Sequence, residues 1–208
     1  MKLLIGTGNP SKARYFAELL AGTGVECVSL REAGITETPE ETGHTPLENA
    51  RQKAAFYAQY ADAVVCADSG LYFDALERDD PRQPGVHIRT PQGGKRLDDD
   101  EMIAYYARLV RSLGGRVRAY YMDAFALCLN GQIHDFEATR EEALAWAFDM
   151  VDTPCVWRRE GWPLDSLSLE DDGSYFLDPG RPKGNQAQDE AGYRERLRRF
   201  LYDKLAGE

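Results

Sequence analysis

Three short polar clusters along the chain carry residue types that bind phosphate and activate water. The first is Thr7-Gly8-Asn9-Pro10-Ser11-Lys12, which lies between an apolar run and a helical pattern. A glycine turn that leads into a helix leaves backbone N–H groups free at the positive end of the helix dipole, and Lys12 adds a formal positive charge. The segment therefore predicts an anion site, although it fits neither the Walker A nor the GxGxxG pattern. The alternative is a glycine turn beside a solvated lysine.

The second cluster is Glu48-Asn49 together with Lys53, on a predicted helix that begins at Pro46. Glu48 and Lys53 lie about 140° apart around a helix of ~3.6 residues per turn, so they are not close surface partners. Glu48 and Asn49 fall in the first turn, beside the apolar stripe at Ala50. They could therefore face a cleft at the N-terminal end of this helix, the alternative being an exposed helix with scattered charges.

The third cluster is Asp68-Ser69-Gly70, which directly follows the apolar run 63–67. Open α/β sheets place their ligands at the C-terminal ends of buried strands, which is where this carboxylate would lie. Because its field would be poorly screened there, we expect it to need a metal ion or a cationic partner. The alternative is an aspartate that caps a turn.

Strand and helix patterns alternate along the chain and would position these clusters. The alternation, followed by a hairpin signal at Asn130-Gly131, indicates an α/β fold with a mixed sheet. Residues 140–148 are ambiguous, because their composition favours a helix whereas their place after a hairpin would suit a strand. Residues 77–98 are the longest irregular stretch, and we expect a mobile flap there. The predicted strands are 3–5, 25–30, 63–67, 71–76, 117–129 and 132–139; the predicted helices are one from Ser11 to Gly22, then 46–60, 98–113 and 190–205, the last with Leu197, Phe200, Leu201 and Leu205 facing inward.

Length and charge limit the classes of protein to consider. The 208 residues suffice for one large domain or two closely fused lobes, and we expect a single domain over 1–208. A formal net charge of -10 repels a phosphate backbone and argues against a nucleic-acid partner. The cysteines are widely separated and no segment approaches 18 apolar residues, so we expect a soluble, cytoplasmic protein with no membrane partner.

Taken together, the clusters resemble those of the inosine triphosphate pyrophosphatase family, which hydrolyses non-standard purine nucleoside triphosphates to monophosphate and pyrophosphate. The segment 7–12 is similar to the family's Ser/Thr-x-Asn-x-x-Lys opening, and 41–54 is similar to its Glu-x-Gly-x-Thr-Phe-x-Glu-Asn-Ala-x-x-Lys-Ala helix. Residues 67–71 match its acidic-Asp-Ser-Gly-Leu turn, and Pro84-Gly85-Val86 matches its Pro-Gly-Val/Ile segment. The matches are close from Lys2 to about Arg89 and cover the rest of the chain only in outline.

The resemblance implies a fold, a cofactor and a set of roles. The fold would be a mixed, elongated sheet flanked by helices in two lobes with a cleft between them, and the protein would be a homodimer. Asp68 would act as general base on water and, with Glu48, as a ligand of Mg²⁺. The substrate would be held by phosphate contacts from Thr7, Asn9, Lys12 and Lys53, and by Ser69, Trp162, Asp165 and Lys183.

This chain also departs from the family's pattern. Ala67 stands where the family usually has an acidic residue, so one carboxylate is missing. The base-binding segment Gly-Phe-Gly-Tyr-Asp-Pro is met only by residues 161–166, in which Trp162 could stack on a purine and Asp165 keeps its place; the alternative for Trp162 is a half-buried core aromatic. The Ser-His-Arg motif that reads the 6-keto group is replaced by residues 181–186, where Lys183 or Arg181 could act as donors.

These departures leave three hypotheses. The first is a Mg²⁺-dependent nucleoside triphosphate pyrophosphatase with altered base selection. The second is a nucleotide-binding protein, such as a sensor, that no longer hydrolyses its ligand. The third is an enzyme that acts on a different phosphorylated metabolite with the same scaffold.

Overall fold

A mixed sheet flanked by helices forms the framework of the protein. The computed structural model describes residues 1–180 and 186–207, and of residues 186–191 only the backbone. The described chain includes seven strands and five α-helices, in an α/β arrangement as predicted. Their bounds are β1 Lys2–Ile5, α1 Pro10–Leu19, β2 Glu26–Ser29, α2 Pro46–Tyr57, β3 Ala63–Phe73, α3 Asp99–Ser112, β4 Arg116–Leu129, β5 Gln132–Glu137, α4 Arg140–Ala145, β6 Phe148–Val151, β7 Ser168–Leu169 and α5 Gln186–Ala206.

The chain divides into two compact units, and β3 and β4 each contribute to both. The first unit contains residues 1–69, 123–139 and the end of α5 from residue 190. Within it β1 pairs in parallel with both β2 and β3, and Leu4 lies opposite Val64 of β3. The second half of β4 forms an antiparallel hairpin with β5. The turn of this hairpin has positive φ at Asn130 (50°) and Gly131 (81°), which is the geometry that an Asn-Gly pair favours.

Strand β3 is longer than the sequence predicts. The sequence indicates a strand that ends before a turn at Asp68-Ser69-Gly70, and this prediction is wrong, because β3 runs without interruption to Phe73. The composition suggests a turn, but the structure does not contain one there. Gly70 does not have a positive φ, and β3 lies next to β4 in the sheet. The partner that does end is β1, whose last paired residue, Ile5, lies opposite Val65. Asp68 therefore lies three residues past the end of the pairing with β1, on a strand that β4 keeps extended.

Helix α2 packs its apolar face on the parallel strands of the first unit. Ala50, Ala54 and Tyr57 are buried with Val64 and Cys66 in one cluster of the core. The backbone of Gly6 packs closely on two buried side chains. A Cβ atom at this position would lie 2.8 Å from Cδ2 of Tyr57 and would also collide with the sulfur of Cys66. Burial raises the pKa of the Cys66 thiol to about 12. Gly6 is therefore required by close packing rather than by a turn.

The second unit contains residues 70–122 and 140–180 and continues into the start of α5. In this unit the first half of β4 pairs antiparallel with β6, and β6 pairs with β7. Tyr106 and Val110 of α3 are buried against Met150 of β6 in one hydrophobic cluster. Residues 140–145 are helical and β6 begins at Phe148, which resolves the ambiguity in the sequence: local helix propensity prevails up to Ala145.

Residues 77–98 contain little regular structure, as predicted, apart from a 3₁₀ turn at Pro91–Gly93. The side chain of Gln83 accepts a hydrogen bond from the N–H of Phe73 (2.7 Å) and donates to its carbonyl (3.1 Å). The Tyr106 hydroxyl donates to the carbonyl of Ile88 at 3.0 Å. The segment is thus tied to both β3 and α3, and its motion as a flap stays a prediction.

The last helix begins earlier than predicted, at Gln186 instead of Glu190. Leu197 and Leu201 are fully buried as expected, whereas Phe200 and Leu205 are only partly buried. Over the described ranges, the helices include none with the length and apolar character needed to cross a bilayer.

The capping box at the start of α3 provides a test of local stability. Asp98 accepts a hydrogen bond from the N–H of Glu101 (2.8 Å), and Glu101 accepts one from the N–H of Asp98 (3.0 Å). We expect Asp98→Ala to lower the free energy of unfolding by about 1 kcal/mol, measured by urea denaturation. Asp100→Ala, in the same exposed turn, loses only a dipole interaction and should cost about 0.3 kcal/mol. Equal losses in the two variants would contradict the importance of the cap.

Candidate active site

A buried ion pair between α2 and β3 is the centre of the candidate site. Nζ of Lys53 lies 2.9 Å from Oδ1 of Asp68, and Nδ2 of Asn49 donates to Oδ2 of Asp68 at 3.0 Å. The side chains of Lys53 and Asp68 are only 11% and 13% exposed. The structure therefore brings together Asp68 and Lys53, which the sequence predicts as site residues, and fixes both carboxylate oxygens with separate donors.

The sequence of α2 explains why these polar groups are buried. Asn49 and Lys53 are four residues apart, so they share a face of the helix, and they lie beside the apolar stripe of Ala50, Ala54 and Tyr57. Thr45 caps the helix by accepting a hydrogen bond from the N–H of Glu48 at 3.2 Å. The buried face of α2 thus carries two polar side chains that reach Asp68 of β3.

The segment before α2 completes the surroundings of Lys53. Glu41 lies 3.3 Å from Nζ of Lys53 and forms a second ion pair with it. The N–H of Gly43 donates to Oδ1 of Asn49 at 2.8 Å, so the amide of Asn49 bridges this backbone and the carboxylate of Asp68. A Cβ on Gly43 would lie 2.6 Å from that same Oδ1. Gly43 is therefore required for the close approach that orients Asn49.

A second lysine and a second, partly buried aspartate lie next to this pair. Nζ of Lys12 donates to Oγ of Ser69 at 3.3 Å. Ser69 and Lys12 both favour the charged form of Asp123, which lies on β4. Lys12 interacts electrostatically with Asp123, Lys53, Asp68 and Glu41, so the two lysines and three carboxylates form one charged cluster.

Burial and charge act in opposite directions on the two lysines. Burial alone lowers the pKa of Lys53, but the attraction of Asp68 and Glu41, with their hydrogen bonds, outweighs it and raises that pKa above its usual range. Burial dominates at Lys12 and lowers its pKa, although Asp123, Asp68 and Glu41 oppose the shift. Burial likewise raises the pKa of Asp123, against the opposing effects of Ser69 and Lys12. The protonation of each of these groups therefore depends on the charges of its neighbours in the cluster.

The predicted anion turn lies at the N-terminus of α1. Asn9 is the N-cap: its Oδ1 accepts the N–H of Ser11 at 2.9 Å. Oγ1 of Thr7 accepts the N–H of Asn9 at 3.2 Å, which fixes the shape of the turn. Lys12 lies one turn further along, and its ammonium group reaches Ser69. Hydrogen bonds among the predicted residues therefore hold the turn in shape, and Lys12 connects it to the charged cluster.

Glu48, the second predicted metal ligand, is exposed, and its carboxylate accepts a hydrogen bond from the N–H of His44 at 2.7 Å. It neighbours Asn49, which binds Asp68. Among the described residues, no group of three or more His, Cys, Asp and Glu side chains could by itself hold a metal ion. Mg²⁺ commonly takes only one or two carboxylates and completes its shell with water and substrate phosphates. Asp68 and Glu48 offer carboxylate oxygens, the ligand type that Mg²⁺ prefers, and they would supply only part of its shell.

Trp162 and Asp165 lie in the second unit, at the start of a 3₁₀ turn over Pro163–Leu167. Trp162 is partly buried, and the guanidinium of Arg159 lies 5.0 Å from the centre of its ring. Arg159 also donates to Oδ2 of Asp165 at 3.2 Å. Lys183 and Arg181 lie outside the described residues, so their predicted role in binding the base stays a prediction.

Glu41 and Asp123 belong to the cluster but are absent from the predicted site, and Asn49 was predicted to face a cleft without being given a role. Asn49 and Glu41 belong to the segment that resembles the family motif, but residue type alone does not show that their side chains reach Asp68 and Lys53. Asp123 had a visible signal. It is the one acidic residue among the alternating positions of β4, between Tyr121 and Phe125, where a half-buried strand would place an apolar side chain.

The charged cluster lies on the interior strands β3 and β4 of a mixed sheet, just past the end of the parallel strand β1 and next to the N-terminus of α1. This arrangement defines an α/β protein with a polar ligand site at the C-terminal end of a parallel strand. The sequence profile of the Ham1 family matches residues 3–147. The chain belongs to this family. The resemblance predicted from the motifs is thereby confirmed, and the match extends well beyond Arg89, where the close motifs end.

Named relatives agree with this assignment, and solved structures share the fold. The chain is 35% identical over 151 residues to a dITP/XTP pyrophosphatase of Rhodopseudomonas palustris, covering 70% of this chain and 69% of the relative. It is 32% identical over 148 residues to that of Zymomonas mobilis, covering 70% and 68%. The structure of the Staphylococcus aureus Ham1 protein is similar with a TM-score of 0.70 at 20% identity, covering 98% of this chain and 100% of that one. A HAM1 protein from Coxiella burnetii gives a TM-score of 0.70 at 22% identity, covering 100% of both chains.

The close approach at Gly43 provides a test of how Asn49 is held. We expect Gly43→Ala to displace the Asn49 amide and to lower the free energy of unfolding by about 1–3 kcal/mol, because neither the side chain nor the backbone of the first helical turn can move aside freely. Gly192→Ala is the control: Gly192 lies in α5, where a Cβ atom would have no neighbour within 4 Å. That change should leave the unfolding free energy unchanged or raise it by up to about 1 kcal/mol. Similar values for both variants in urea denaturation would contradict the tight packing at Gly43.

Proposed function

We propose that this protein hydrolyses nucleoside triphosphates to monophosphate and pyrophosphate. The observation that carries the proposal is the buried cluster of Lys53, Asp68 and Asn49, with Lys12 beside it. The relatives are named dITP/XTP pyrophosphatases, which supports the same reaction class. On this basis we propose inosine and xanthosine triphosphates as substrates.

The lysines would bind the phosphate oxygens. An ammonium group has three N–H donors, and Lys53 directs two of them at Asp68 and Glu41, which leaves a third for a phosphate oxygen. Lys12 and the turn residues Thr7 and Asn9 would supply further donors, and Ser69 would contribute its hydroxyl. Attack at phosphorus accumulates negative charge on the equatorial oxygens, so fixed donors around them lower the barrier.

Asp68 would act as the general base. Its two oxygens are each held by one donor, Lys53 and Asn49, so the carboxylate has a fixed orientation. Each oxygen has a second acceptor site, and one of them would take the proton of the attacking water. A base held in this way does not have to be reoriented when the substrate arrives, which is the condition for efficient proton transfer.

The charge of the cluster supports a requirement for Mg²⁺. Two lysines oppose three carboxylates, so the cluster carries a formal charge of -1 and does not by itself attract a triphosphate. Glu48 and Asp68 would hold the ion. When bound it supplies positive charge to the phosphate oxygens, and hard oxygen ligands are the kind that Mg²⁺ prefers.

Recognition of the base depends on residues outside the charged cluster. Trp162 would stack on the purine through the ring face not covered by Arg159, and Asp165 and Lys183 would contact its polar edge. A further part of the proposal is a homodimer, which the family resemblance implies. We also propose a cytoplasmic location, because the four unpaired cysteines fit a reducing compartment.

A specific observation keeps a non-hydrolysing nucleotide-binding protein as the second candidate. Ala67, 6% exposed, occupies the position before Asp68 where the resembled motif has an acidic side chain. With one carboxylate fewer, the site would bind a nucleotide without releasing pyrophosphate. An enzyme for another phosphorylated metabolite is the third candidate.

The role of Asp68 is tested by Asp68→Asn in a pyrophosphate-release assay. The assay covers inosine, xanthosine, deoxyuridine and standard triphosphates, with Mg²⁺ and with EDTA. We expect the wild type to require Mg²⁺, and Asp68→Asn to lower turnover by about 10²–10⁴-fold, because amide nitrogen and oxygen cannot take up the proton. Asp62→Asn, an exposed residue just before β3, carries the same charge change and should keep full activity.

Each candidate gives a different result. Undiminished turnover in Asp68→Asn would exclude its role as base. Nucleotide binding by the wild type with no pyrophosphate released from any substrate would favour the second candidate. Release from a phosphorylated metabolite outside the nucleotide panel, with no release from nucleotides, would favour the third.

A further inference from the structure

Trp162 lies between two attachments of its segment within the second unit. After it, Leu164 and Leu167 of the 3₁₀ turn are buried in one hydrophobic cluster with Tyr106 of α3. Before it, Gly161 is exposed and has no side chain that could pack against the helix. Polar contacts of the Gly161 backbone therefore have to fix the segment on this side.

The backbone of Gly161 is bound through both its N–H and its carbonyl by an ion pair. The N–H donates to Oδ2 of Asp99 at 2.9 Å, and the carbonyl accepts from Nη2 of Arg89 at 3.3 Å. Asp99 and Arg89 pair with each other through their other polar atoms, since Oδ1 lies 2.9 Å from Nη1. The three residues thus form a closed ring in which each one holds the other two.

Helix α3 fixes both members of the ion pair. Asp99 is the first residue of this helix. Arg89 follows Ile88, whose carbonyl accepts a hydrogen bond from the hydroxyl of the fully buried Tyr106 at 3.0 Å. The ring therefore connects Gly161 to a helix that is itself held by the core of the second unit.

The position of Gly161 determines where Trp162 lies. The N–H of Trp162 donates to the carbonyl of Arg159 at 2.9 Å, which closes a four-residue turn with Gly161 in third place. Gly161 has a φ of 78°, which glycine adopts without strain at this position of a turn. The guanidinium of Arg159 lies 5.0 Å from the centre of the Trp162 ring. A shift of Gly161 would therefore move the indole ring relative to its charged neighbour.

Stability gives little reason for this ring of contacts. The side chains of Arg89 and Asp99 are 27% and 39% exposed, and ion pairs so accessible to water contribute little to stability. The N-terminus of α3 is already capped by Asp98 and Glu101. Recognition of a flat ligand does benefit, because an aromatic ring held in place before binding does not have to be ordered by the ligand.

We propose that Asp99 is a positioning residue for recognition of the base: together with Arg89 it fixes the backbone of Gly161, and thereby the Trp162 ring on which a purine stacks. The inference rests on the proposed function in one respect, namely that Trp162 binds the base of a nucleoside triphosphate. It adds a residue of α3, outside the segment 161–166 that resembles the family's base-binding motif.

A role limited to α3 predicts a different pattern of losses. Asp99 is one of three acidic residues in the first turn of this helix, where negative charge interacts favourably with the helix dipole. With that role alone, Asp99→Ala should resemble Asp100→Ala and should affect all ligands equally. The proposal predicts a loss confined to ligands that carry a base.

The experiment compares a ligand that carries a base with one that does not. The first is the α,β-methylene analogue of inosine triphosphate, which cannot be cleaved at that bridge, and the second is inorganic tripolyphosphate. Their affinities in the presence of Mg²⁺ are measured by calorimetry for the wild type, Asp99→Ala, Trp162→Ala and the double variant. We expect Asp99→Ala to weaken binding of the analogue about tenfold, within the range that stacking of one base contributes, and to change that of tripolyphosphate less than about twofold. In the Trp162→Ala background Asp99→Ala should cost less than about twofold, because residues that act through one another are not additive.

Two further variants serve as controls. Asp100→Ala removes the same charge from an exposed position in the same helical turn and should change both affinities less than about twofold. Asp99→Asn keeps an oxygen that can accept the N–H of Gly161, so it should weaken binding of the analogue only about threefold. Thermal melts check that the variants remain folded, and the comparison of the two ligands in Asp99→Asn provides the decision if Asp99→Ala does not fold.

The outcomes separate the inference from the proposed reaction. Equal losses for the two ligands, equal losses in both Trp162 backgrounds, or equal effects of Asp99→Ala and Asp100→Ala overturn the inference. A wild type that does not bind the analogue, or unchanged binding of the analogue in Trp162→Ala, also overturns it, because the ring then contributes nothing. A wild type that binds the analogue but releases no pyrophosphate from inosine triphosphate would refute the proposed hydrolysis and leave the cycle to decide the role of Asp99.

Discussion

The buried ion pair of Lys53 and Asp68 constrains the rest of the first unit. Removing one partner of such a pair typically costs about 3–5 kcal/mol, because the other charge is left without compensation in a poorly solvated place. Asn49 and Glu41 therefore have to saturate the remaining groups, and the backbone at Gly43 has to come close enough to orient Asn49. The pair is possible because β3 continues past the end of β1, so that β1 does not pair with β3 at Asp68.

Much of this arrangement could be predicted from the sequence, and the failures have physical causes. The period of α2 predicts the helix and its apolar stripe, because that pattern is local. The turn at Asp68-Ser69-Gly70 was predicted wrongly, because composition does not report that β4 holds this segment extended. Asp68 and Lys53 were identified as site residues, but their contact depends on residues fifteen apart in sequence, which no local pattern encodes. The only sign of Asp123 in the sequence was an acidic residue at a position where the alternating pattern of β4 calls for an apolar one.

The charged cluster and the candidate residues for base recognition differ in their support. Every member of the cluster, from Lys12 to Asp123, lies within the part of the chain that matches the Ham1 family, residues 3–147. Trp162, Asp165 and Lys183 lie beyond it. Phosphate chemistry needs a few fixed charges and is compatible with one shared arrangement, whereas selection of a base depends on the shape of a pocket and on the polar groups that line it. The match to the family profile ends at residue 147, so the proposed base-recognition residues are supported only by the resemblance of their motifs.

The packing around Gly6 has a consequence for chemical modification. The sulfur of Cys66 and the ring of Tyr57 both border the space that Gly6 keeps empty. Burial raises the pKa of the Cys66 thiol to about 12, which leaves almost no thiolate at neutral pH. Electrophiles and peroxides react with thiolates, and sulfenic acid formation would require room for an added oxygen. Although Cys66 lies only two residues from Asp68, its thiol should resist alkylating agents and oxidation. Covalent inhibitors that target thiols should therefore not react with it.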